Sequence, residues 1–255
     1  MSERRTILLE VRDVSKHFGG IYALNGASLA LESGEVHALI GPNGAGKTTL
    51  IHVLSGALTA DAGQVIFNGN DLAWRAMHER VALGLARSYQ ITNLFSRLTV
   101  LDNVTMAVQS RVRDWGSSFS FWKPFSLDSA IVDEAQDLLD QVSLTGLAGR
   151  RACQLSHGEQ RCLEVALVLA TKPKLLLLDE PMAGMGPEES VRMVELIENL
   201  ARRVTMLLVE HDMDAVFRLA DRISVLVGGR VIASGAPAAI RADHEVRRAY
   251  LGDAQ

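Results

Sequence analysis

The stretch that decides the fold is residues 41–48, which read Gly41-Pro42-Asn43-Gly44-Ala45-Gly46-Lys47-Thr48. They fit the pattern GxxxxGK[ST], and they lie between an apolar run, 36–40, and a segment, 48–55, whose apolar residues recur at helical spacing. A strand, a glycine loop and a helix in this order turn several backbone N–H groups and a helix N-terminus toward one point. The stretch therefore predicts a phosphate-binding loop of the Walker A type.

Each residue type in this loop suits a bound nucleotide. Glycines let the backbone approach a phosphate, Lys47 supplies a point charge to the terminal phosphates, and Thr48 offers a hydroxyl to Mg²⁺. The alternative interpretation, a glycine-rich turn that binds nothing, needs a chance match with a probability on the order of one per cent. The residues that we predict to contact the nucleotide are Gly41, Pro42, Asn43, Gly44, Ala45, Gly46, Lys47, Thr48 and Thr49.

A second apolar run ends in two adjacent carboxylates. Residues 175–178 are four leucines, and Asp179 and Glu180 follow directly. Ligands of open parallel sheets collect at the carboxyl ends of strands, so this is predicted to be a Walker B strand. Asp179 would hold Mg²⁺ through water, and Glu180 would polarise the water that attacks the γ-phosphate. The alternative is a buried strand with a solvated acidic end and no role in nucleotide binding. The Walker A loop elsewhere in the chain makes this alternative less favoured.

Strand and helix patterns divide the rest of the chain. Turn signals split 7–40 into short strands, and Gln64–Phe67 predicts another, so the N-terminal part is expected to form a β-rich layer. Helical spacing dominates 91–165, after which strands and helices alternate, as is typical of a parallel α/β sheet. We predict one domain over 1–255, with a core formed by 1–90 and 166–255 and a helical subdomain over 91–165.

Composition excludes several function classes. The chain has 255 residues, 48% of them apolar, which is enough for one large globular unit. A net charge of −4 argues against a non-specific grip on nucleic acid. Cys153 and Cys162 have neither metal-ligand nor CxxC spacing, so a reducing, cytosolic compartment is expected. No apolar run reaches the roughly 18 to 20 residues of a membrane span, so work at a membrane would need another protein.

Residues 155–160, Leu155-Ser156-His157-Gly158-Glu159-Gln160, resemble the signature motif of the ABC ATPase family. The family's other landmarks follow in its order: Phe18 ahead of the Walker A loop, Gln90 as the Q-loop residue, and His211 as the switch histidine. The resemblance covers essentially the whole chain. It implies an α/β P-loop NTPase fold, with a RecA-like parallel-sheet core, an N-terminal antiparallel β layer and an inserted α-helical subdomain.

The resemblance also implies how the residues work. ATP on one subunit's Walker A loop would be capped by the signature of a second subunit in a head-to-tail dimer, with Ser156 and the Gly158 amide at the γ-phosphate. Glu159 of the signature is also among the implied nucleotide-binding residues. Phe18 would stack on adenine, His211 would orient the attacking water, and Gln90 would reach Mg²⁺ and that water. The catalytic residues implied are Glu180, His211, Lys47 and Gln90. The implied Mg²⁺ ligands are Thr48, Gln90 and Asp179, and the implied cofactors are ATP and Mg²⁺.

Two residues depart from the commonest family pattern. His157 stands where Gly is more frequent, a substitution that occurs among ABC importers. Gly186 stands where the D-loop, the segment after Glu180, usually has Asp or Asn. The Mg²⁺ and water ligands are intact, so the resemblance implies that catalysis is kept. The coupling between two ATP sites stays open, because the missing side chain normally crosses the dimer interface.

Three regions resemble the branched-chain amino acid importer group, the hydrophobic amino acid uptake family. They are the opening Phe18-Gly19-Gly20, the tail 246–252, and an insert after the Q-loop with five aromatic residues in 115–125. Aromatic residues anchor interfaces, so the insert is either a docking surface for a membrane subunit or a segment folded onto its own subdomain.

The group implies an ATPase subunit of an importer for branched-chain or related amino acids. Its partners would be a second ATPase subunit, identical or paralogous, two membrane permease subunits and, indirectly, a periplasmic solute-binding protein, with no nucleic acid. The chain would sit peripherally on the cytoplasmic side of the inner membrane. Urea, amide or aromatic-acid import and lipopolysaccharide export stay open as other cargoes. A non-transport ABC ATPase, a P-loop kinase or a switch GTPase fits the motifs less well.

Overall fold

The structure is a computed structural model that describes residues 6–88, 94–112 and 129–251. The chain divides into two compact units. The first runs to Arg87 and also contains Lys174–Pro181 and the chain from Ile197 onward, and the second contains Ser88–Pro173 and Met182–Leu196. The predicted helical subdomain, 91–165, lies inside the second unit. Its predicted end at 165 falls within a helix that continues to Leu169.

The strands are β1 (Ile7–Phe18), β2 (Ile21–Glu32), β3 (Val36–Ile40), β4 (Ala62–Phe67), β5 (Asn70–Asp71), β6 (Leu85–Arg87), β7 (Leu175–Asp179), β8 (Thr205–Val209), β9 (Arg222–Val227) and β10 (Arg230–Gly235). The helices are α1 (Lys47–Ser55), α2 (Met77–Leu83), α3 (Val100–Val112), α4 (Ser129–Gln141), α5 (His157–Leu169), α6 (Pro187–Ala201), α7 (Met213–Leu219), α8 (Pro237–Ala242) and α9 (His244–Leu251). None of the helices in the described ranges is long and apolar enough to cross a bilayer.

The N-terminal part of the first unit forms an antiparallel sheet in the order β2-β1-β4-β5, which confirms the predicted β layer. Alternate residues of β1 such as Leu9 and Val11 are buried, and they pair with Phe67 and Val65 of β4. The strands β1 and β2 are 12 residues each, longer than the short strands that the sequence predicted. Register shifts along β1 explain the difference, because bulges let one long strand bend without ending.

The second sheet of the first unit has the order β10-β9-β3-β8-β7-β6, and all of its pairs are parallel except β9 with β10. Every residue of β3, β7 and β8 is buried, as expected for strands covered on both faces. Because β8 lies between β3 and β7, the carboxyl ends of these three strands meet at one edge. This edge carries the segments that follow them: the Walker A loop, Glu180, and Glu210-His211.

The Walker A helix, α1, is anchored by its buried face and at its C-terminal end. Leu50, Ile51 and Leu54 are fully buried in the core cluster that they share with the two sheets. At the C-terminal end, the buried guanidinium of Arg80 donates hydrogen bonds to the carbonyl oxygens of Val53 and Leu54 at 2.7 and 2.8 Å. The Val53 carbonyl oxygen also accepts the N–H of Gly56 at 3.3 Å, so Arg80 and this capping glycine together satisfy the last carbonyls of α1 and fix the helix end.

The second unit is helical, as the spacing of apolar residues predicts. The helices α3, α4 and α5 pack on one another through buried faces. Arg111 of α3 donates to both carboxylate oxygens of Glu134 of α4 at 2.7 Å. The buried apolar residues of these faces are Val100, Val104, Val108, Ala135, Leu138, Leu139, Leu163, Ala166 and Leu169.

Candidate nucleotide site

The Walker A loop is packed closely against two neighbouring strands. A Cβ atom on Gly41 would lie 2.1 Å from the carbonyl oxygen of Leu226, and one on Gly46 would lie 2.2 Å from that of Ala23. Gly46 also has a left-handed φ of +106°. Only glycine leaves room for these carbonyl oxygens, and at position 46 only glycine also adopts the left-handed φ readily, so the surrounding backbone requires glycine at both positions. The loop is tied further by Gly229, whose N–H donates to the carbonyl oxygen of Ala45 at 2.9 Å.

Lys47 begins α1 and points its ammonium group back into the loop. Its Nζ donates to the carbonyl oxygens of Gly41 and Pro42 at 2.8 and 3.1 Å. Burial lowers the pKa of Lys47, and the nearby carboxylates of Glu180 and Asp179 oppose that effect. The lysine therefore lies within the field of both Walker B carboxylates, as the two motifs predict.

Asp179 is buried at the end of β7 and forms an ion pair with Arg87, the last residue of β6. The Nη2 atom of Arg87 lies 2.9 Å from Oδ2 of Asp179. Burial raises the pKa of Asp179, and Arg87 opposes the shift. The second oxygen, Oδ1, is buried and has no hydrogen-bond partner among the described residues. A buried carboxylate oxygen without a donor is costly unless a cation or another ligand meets it.

The oxygen ligands at this edge fit Mg²⁺. Among the described residues, no group of three or more His, Cys, Asp or Glu side chains is placed to hold a metal ion. Mg²⁺ is commonly bound by one or two protein ligands together with phosphate oxygens and water. Asp179 Oδ1, which has no partner among the described residues, would be one such ligand, and Thr48, exposed in the first turn of α1, carries the predicted hydroxyl.

Glu180 and His211 meet at the same sheet edge. The Nε2 atom of His211 lies 2.9 Å from Oε1 of Glu180. An ionised carboxylate only accepts hydrogen bonds, so beside it Nε2 carries the proton. Glu180 has a left-handed φ of +51°, which is rare for a residue with a side chain, and its N–H donates to the carbonyl oxygen of Val209 at 2.9 Å. Such a strained backbone is typical of functional sites.

Phe18 ends β1 at the hairpin that leads into β2. Its ring is half exposed, and the ammonium of Lys16 lies 5.7 Å from the ring centroid. Five residues further on, Ala23 of β2 makes the close approach to Gly46 of the Walker A loop. An exposed aromatic face on this hairpin agrees with the predicted stacking role.

The signature lies in the second unit, at the N-terminus of α5. Ser156 is the N-cap residue: its hydroxyl oxygen accepts from the N–H of Glu159 at 3.2 Å, and Glu159 Oε2 accepts from the N–H of Ser156 at 2.7 Å. This reciprocal capping box fixes the first turn of α5. The same Ser156 hydroxyl and the N–H of Gly158 donate to Oε1 of Glu189, in the first turn of α6, at 3.1 and 3.2 Å.

Some predicted residues lie outside the described part of the chain. They are Gln90, the aromatic insert at 115–125 and Gly252 at the end of the tail.

Sequence reasoning did not assign functions to Arg87 and Glu189. Arg87 stands three residues before Gln90 in the chain, and a basic residue at the end of a buried strand is a usable signal for a carboxylate partner. Glu189 carries no comparable signal, because an acidic residue in a helix's first turn is commonplace.

Comparison with known proteins shows the family of the chain. Residues 24–183 match the family model described as ABC transporter, and residues 230–255 match that of the branched-chain amino acid ATP-binding cassette transporter. The high-affinity branched-chain amino acid transport ATP-binding protein LivG of Escherichia coli K12 is 37% identical over 251 residues, covering 97% of this chain and 98% of that protein. The corresponding protein BraF of Pseudomonas aeruginosa is 36% identical with the same coverage.

A solved structure gives the same result for the fold. The ADP conformation of an ATP-binding cassette of an ABC transporter superposes with a TM-score of 0.84 at 30% identity, covering 97% of this chain and 100% of that chain. The fold class and the family resemblance predicted from the motifs are thereby confirmed. The chain belongs to the ABC transporter family as one of its ATP-binding cassettes, the components that couple ATP hydrolysis to transport.

Proposed function

We propose that this chain is the ATPase subunit of an importer for branched-chain or related amino acids. The observation that carries the proposal is the match of residues 230–255 to the branched-chain cassette model, outside the part shared with ABC transporters in general. The relatives named for branched-chain amino acid transport match over nearly the whole chain, which supports the same cargo.

The assembly follows from this role. Two such subunits bind two membrane permease subunits on the cytoplasmic side of the inner membrane, and a periplasmic solute-binding protein delivers the amino acid to the permeases. The cassettes hydrolyse ATP and do not touch the cargo.

In the proposed reaction, the Glu180 carboxylate accepts a proton from the water that attacks the γ-phosphorus, and the bond from that phosphorus to the bridging oxygen of ADP breaks. His211, 2.9 Å from Glu180, orients the carboxylate and the water. Lys47 binds the terminal phosphates as a point charge, and Phe18 stacks on the adenine. Asp179, Thr48 and Gln90 would hold Mg²⁺, which would neutralise phosphate charge when bound.

The signature completes this site in a second copy of the chain. A helix N-terminus favours anions, and the Ser156 hydroxyl and Gly158 N–H are donors at the N-terminus of α5. In a head-to-tail dimer these donors bind the γ-phosphate of the partner's ATP, so the dimer is stable while that phosphate is present.

The dimer is tested with Glu180→Gln, which removes the proton acceptor and keeps the side-chain shape. We expect the purified variant to form a stable dimer with ATP and Mg²⁺, measured by size-exclusion chromatography with light scattering. Adding Lys47→Ala to this variant should abolish the dimer, because ATP is no longer held. A monomer at saturating ATP in the Glu180→Gln protein would contradict the composite site.

The cargo is tested by uptake in the source organism. Deletion of the gene should abolish high-affinity uptake of labelled leucine, isoleucine and valine, and the wild-type gene should restore it while Glu180→Gln should not. Loss of urea or aromatic-acid uptake with unchanged leucine uptake would overturn the branched-chain assignment.

A further inference from the structure

The carboxylate of Glu189 accepts hydrogen bonds from the donor groups of the signature. Its Oε1 atom accepts from the Ser156 hydroxyl at 3.1 Å and from the Gly158 N–H at 3.2 Å, and its Oε2 atom lies 3.4 Å from the N–H of Gly186. The approach is direct: a Cβ atom on Gly158 would lie 2.8 Å from both Cδ and Oε1 of Glu189. Glycine at 158 therefore admits a carboxylate to the helix N-terminus.

These contacts use the hydrogen atoms that a phosphate would need. A serine hydroxyl and a backbone amide each have one proton to donate. Once both protons point at Oε1, a phosphate oxygen in the same place has neither, and it meets a negative charge at close range. The carboxylate and a γ-phosphate therefore exclude each other from this position.

The carboxylate is an anion at neutral pH. The Gly186 N–H and the Ser156 hydroxyl lower the pKa of Glu189. Hydrogen bonds to an ionised carboxylate are stronger than neutral ones, so the contact competes with an incoming anion. Neighbouring Glu188 is 91% exposed and pairs only loosely with Arg192, at 3.8 Å, which makes it a matched reference.

We propose that Glu189 is a further residue of the phosphate site: its carboxylate occupies the signature donors as an internal substitute for the γ-phosphate and is displaced when the partner's ATP binds. This rests on the proposed function, because it takes the signature as the γ-phosphate site of the dimer. Glu189 lies nine residues after Glu180, on the segment that follows the Walker B strand. Its displacement frees Gly186 in the D-loop at the same time as it frees the signature.

The experiment measures the ATP concentration at which half of the protein is dimeric, in the Glu180→Gln background with Mg²⁺. Removal of the internal competitor in Glu189→Gln and Glu189→Ala should shift this midpoint to lower ATP by about three- to tenfold, the range for one exposed charge-assisted hydrogen bond at each of two sites. Glu188→Gln should leave the midpoint unchanged. Glu189→Gln keeps the side-chain volume, so it provides a folded protein if Glu189→Ala is unstable.

The possible results distinguish the role of Glu189 from the proposed ATP-bound dimer. A midpoint that does not move, or that moves to higher ATP, overturns the competition and leaves Glu189 a support of the signature turn. Failure of the parent Glu180→Gln protein to dimerise at any ATP concentration overturns the proposed dimer instead.

Discussion

Two helix N-termini in this chain are assigned to phosphate, and they are built differently. The Walker A helix, α1, begins at a left-handed glycine, has no acidic residue in its described first turn, and places Lys47 at its start. The signature helix, α5, begins at Ser156, closes a capping box with Glu159, and receives a second carboxylate from Glu189. The first end presents a cation to an anion from outside, and the second already satisfies its donors with anions from the chain.

These two helix ends suit binding in sequence, in which one nucleotide meets the Walker A loop before the signature. At the Walker A loop only the hydrogen bonds of the Lys47 ammonium to the Gly41 and Pro42 carbonyl oxygens must be exchanged, and no anion of the chain itself has to leave. The proposed site can therefore hold ATP in the single subunit. The capped N-terminus of α5 would bind a phosphate only after the Glu189 carboxylate has left its donors. It would therefore add little affinity for ATP until the second subunit is in place. The following changes test each side of this comparison.

The largest effect is expected at the Walker A side. Lys47→Ala removes the cation that we propose contacts the terminal phosphates, and it should lower ATP turnover by about 10²- to 10³-fold, the usual cost of losing one preorganised charge-stabilising group. Steady-state phosphate release measures this. Lys174→Ala, at an exposed lysine just before β7, serves as the control and should retain full activity. Full turnover in Lys47→Ala would remove the lysine from its role.

The next effect separates backbone conformation from packing within the loop. Gly46→Ala should lose nucleotide binding and about 3 kcal/mol of unfolding free energy, because the added Cβ meets the Ala23 carbonyl and φ is positive. Gly44→Ala has a similar φ of +78° but open space around its Cβ, so it should lose only about 1 kcal/mol. Urea unfolding and nucleotide titration measure both, and equal losses would show that packing contributes nothing.

On the signature side, the contact of Glu189 should make stability depend on pH. The folded-state pKa of Glu189 is lowered, so its contribution is present above the ordinary glutamate pKa and is lost as the pH falls through the lowered value. The difference in unfolding midpoint between wild type and Glu189→Gln should be small at pH 7 and vanish in acid. Glu188→Gln gives the effect of losing a neighbouring first-turn carboxylate, and a difference that persists in acid would contradict the contact.

The smallest effect uses Cys162 of α5 as a reporter. Burial, together with the charges of Glu159 and Glu189, raises the pKa of this thiol to about 11. In a Cys153→Ser background, Glu189→Gln should increase the alkylation rate of Cys162 at pH 8 by about 1.5- to 3-fold, because the thiolate is the reactive form. Glu188→Gln should leave the rate unchanged, whereas a slower reaction in Glu189→Gln would place the carboxylate elsewhere.

The parts of the site that were predictable from sequence are local in the chain. The Walker A loop is contiguous, and the leucines of β7 lead directly to Asp179 and Glu180. In both cases the residues of the site directly follow a strand that the sequence itself indicates. The position of His211 beside Glu180 was accessible only through the family resemblance, because it depends on β8 lying next to β7.

The parts that could not be predicted depend on tertiary packing. Arg87 and Asp179 are 92 residues apart, and Ser156 and Glu189 are 33 apart, so no spacing rule links them. An acidic residue such as Glu189 is expected in the first turn of its own helix, α6, because it interacts favourably with the helix dipole. The sequence therefore gives no sign that it contacts the N-terminus of α5. Glu180 has a left-handed φ and its N–H bonds to Val209 of the neighbouring strand, and neither feature has a signal in the local sequence. The role of Gln90 stays a prediction.

The carbonyl oxygens of Ala23 in β2 and Leu226 in β9 approach the Walker A loop closely, and the amide of Gly229, in the turn between β9 and β10, bonds to it. Because the loop is already ordered, ATP binding does not reduce the conformational entropy of the loop. The entropy lost on binding is then mainly that of the nucleotide itself. We expect association rate constants to vary little among nucleotides that fit the loop. Discrimination between ATP and its analogues should then reside in how long each one stays bound.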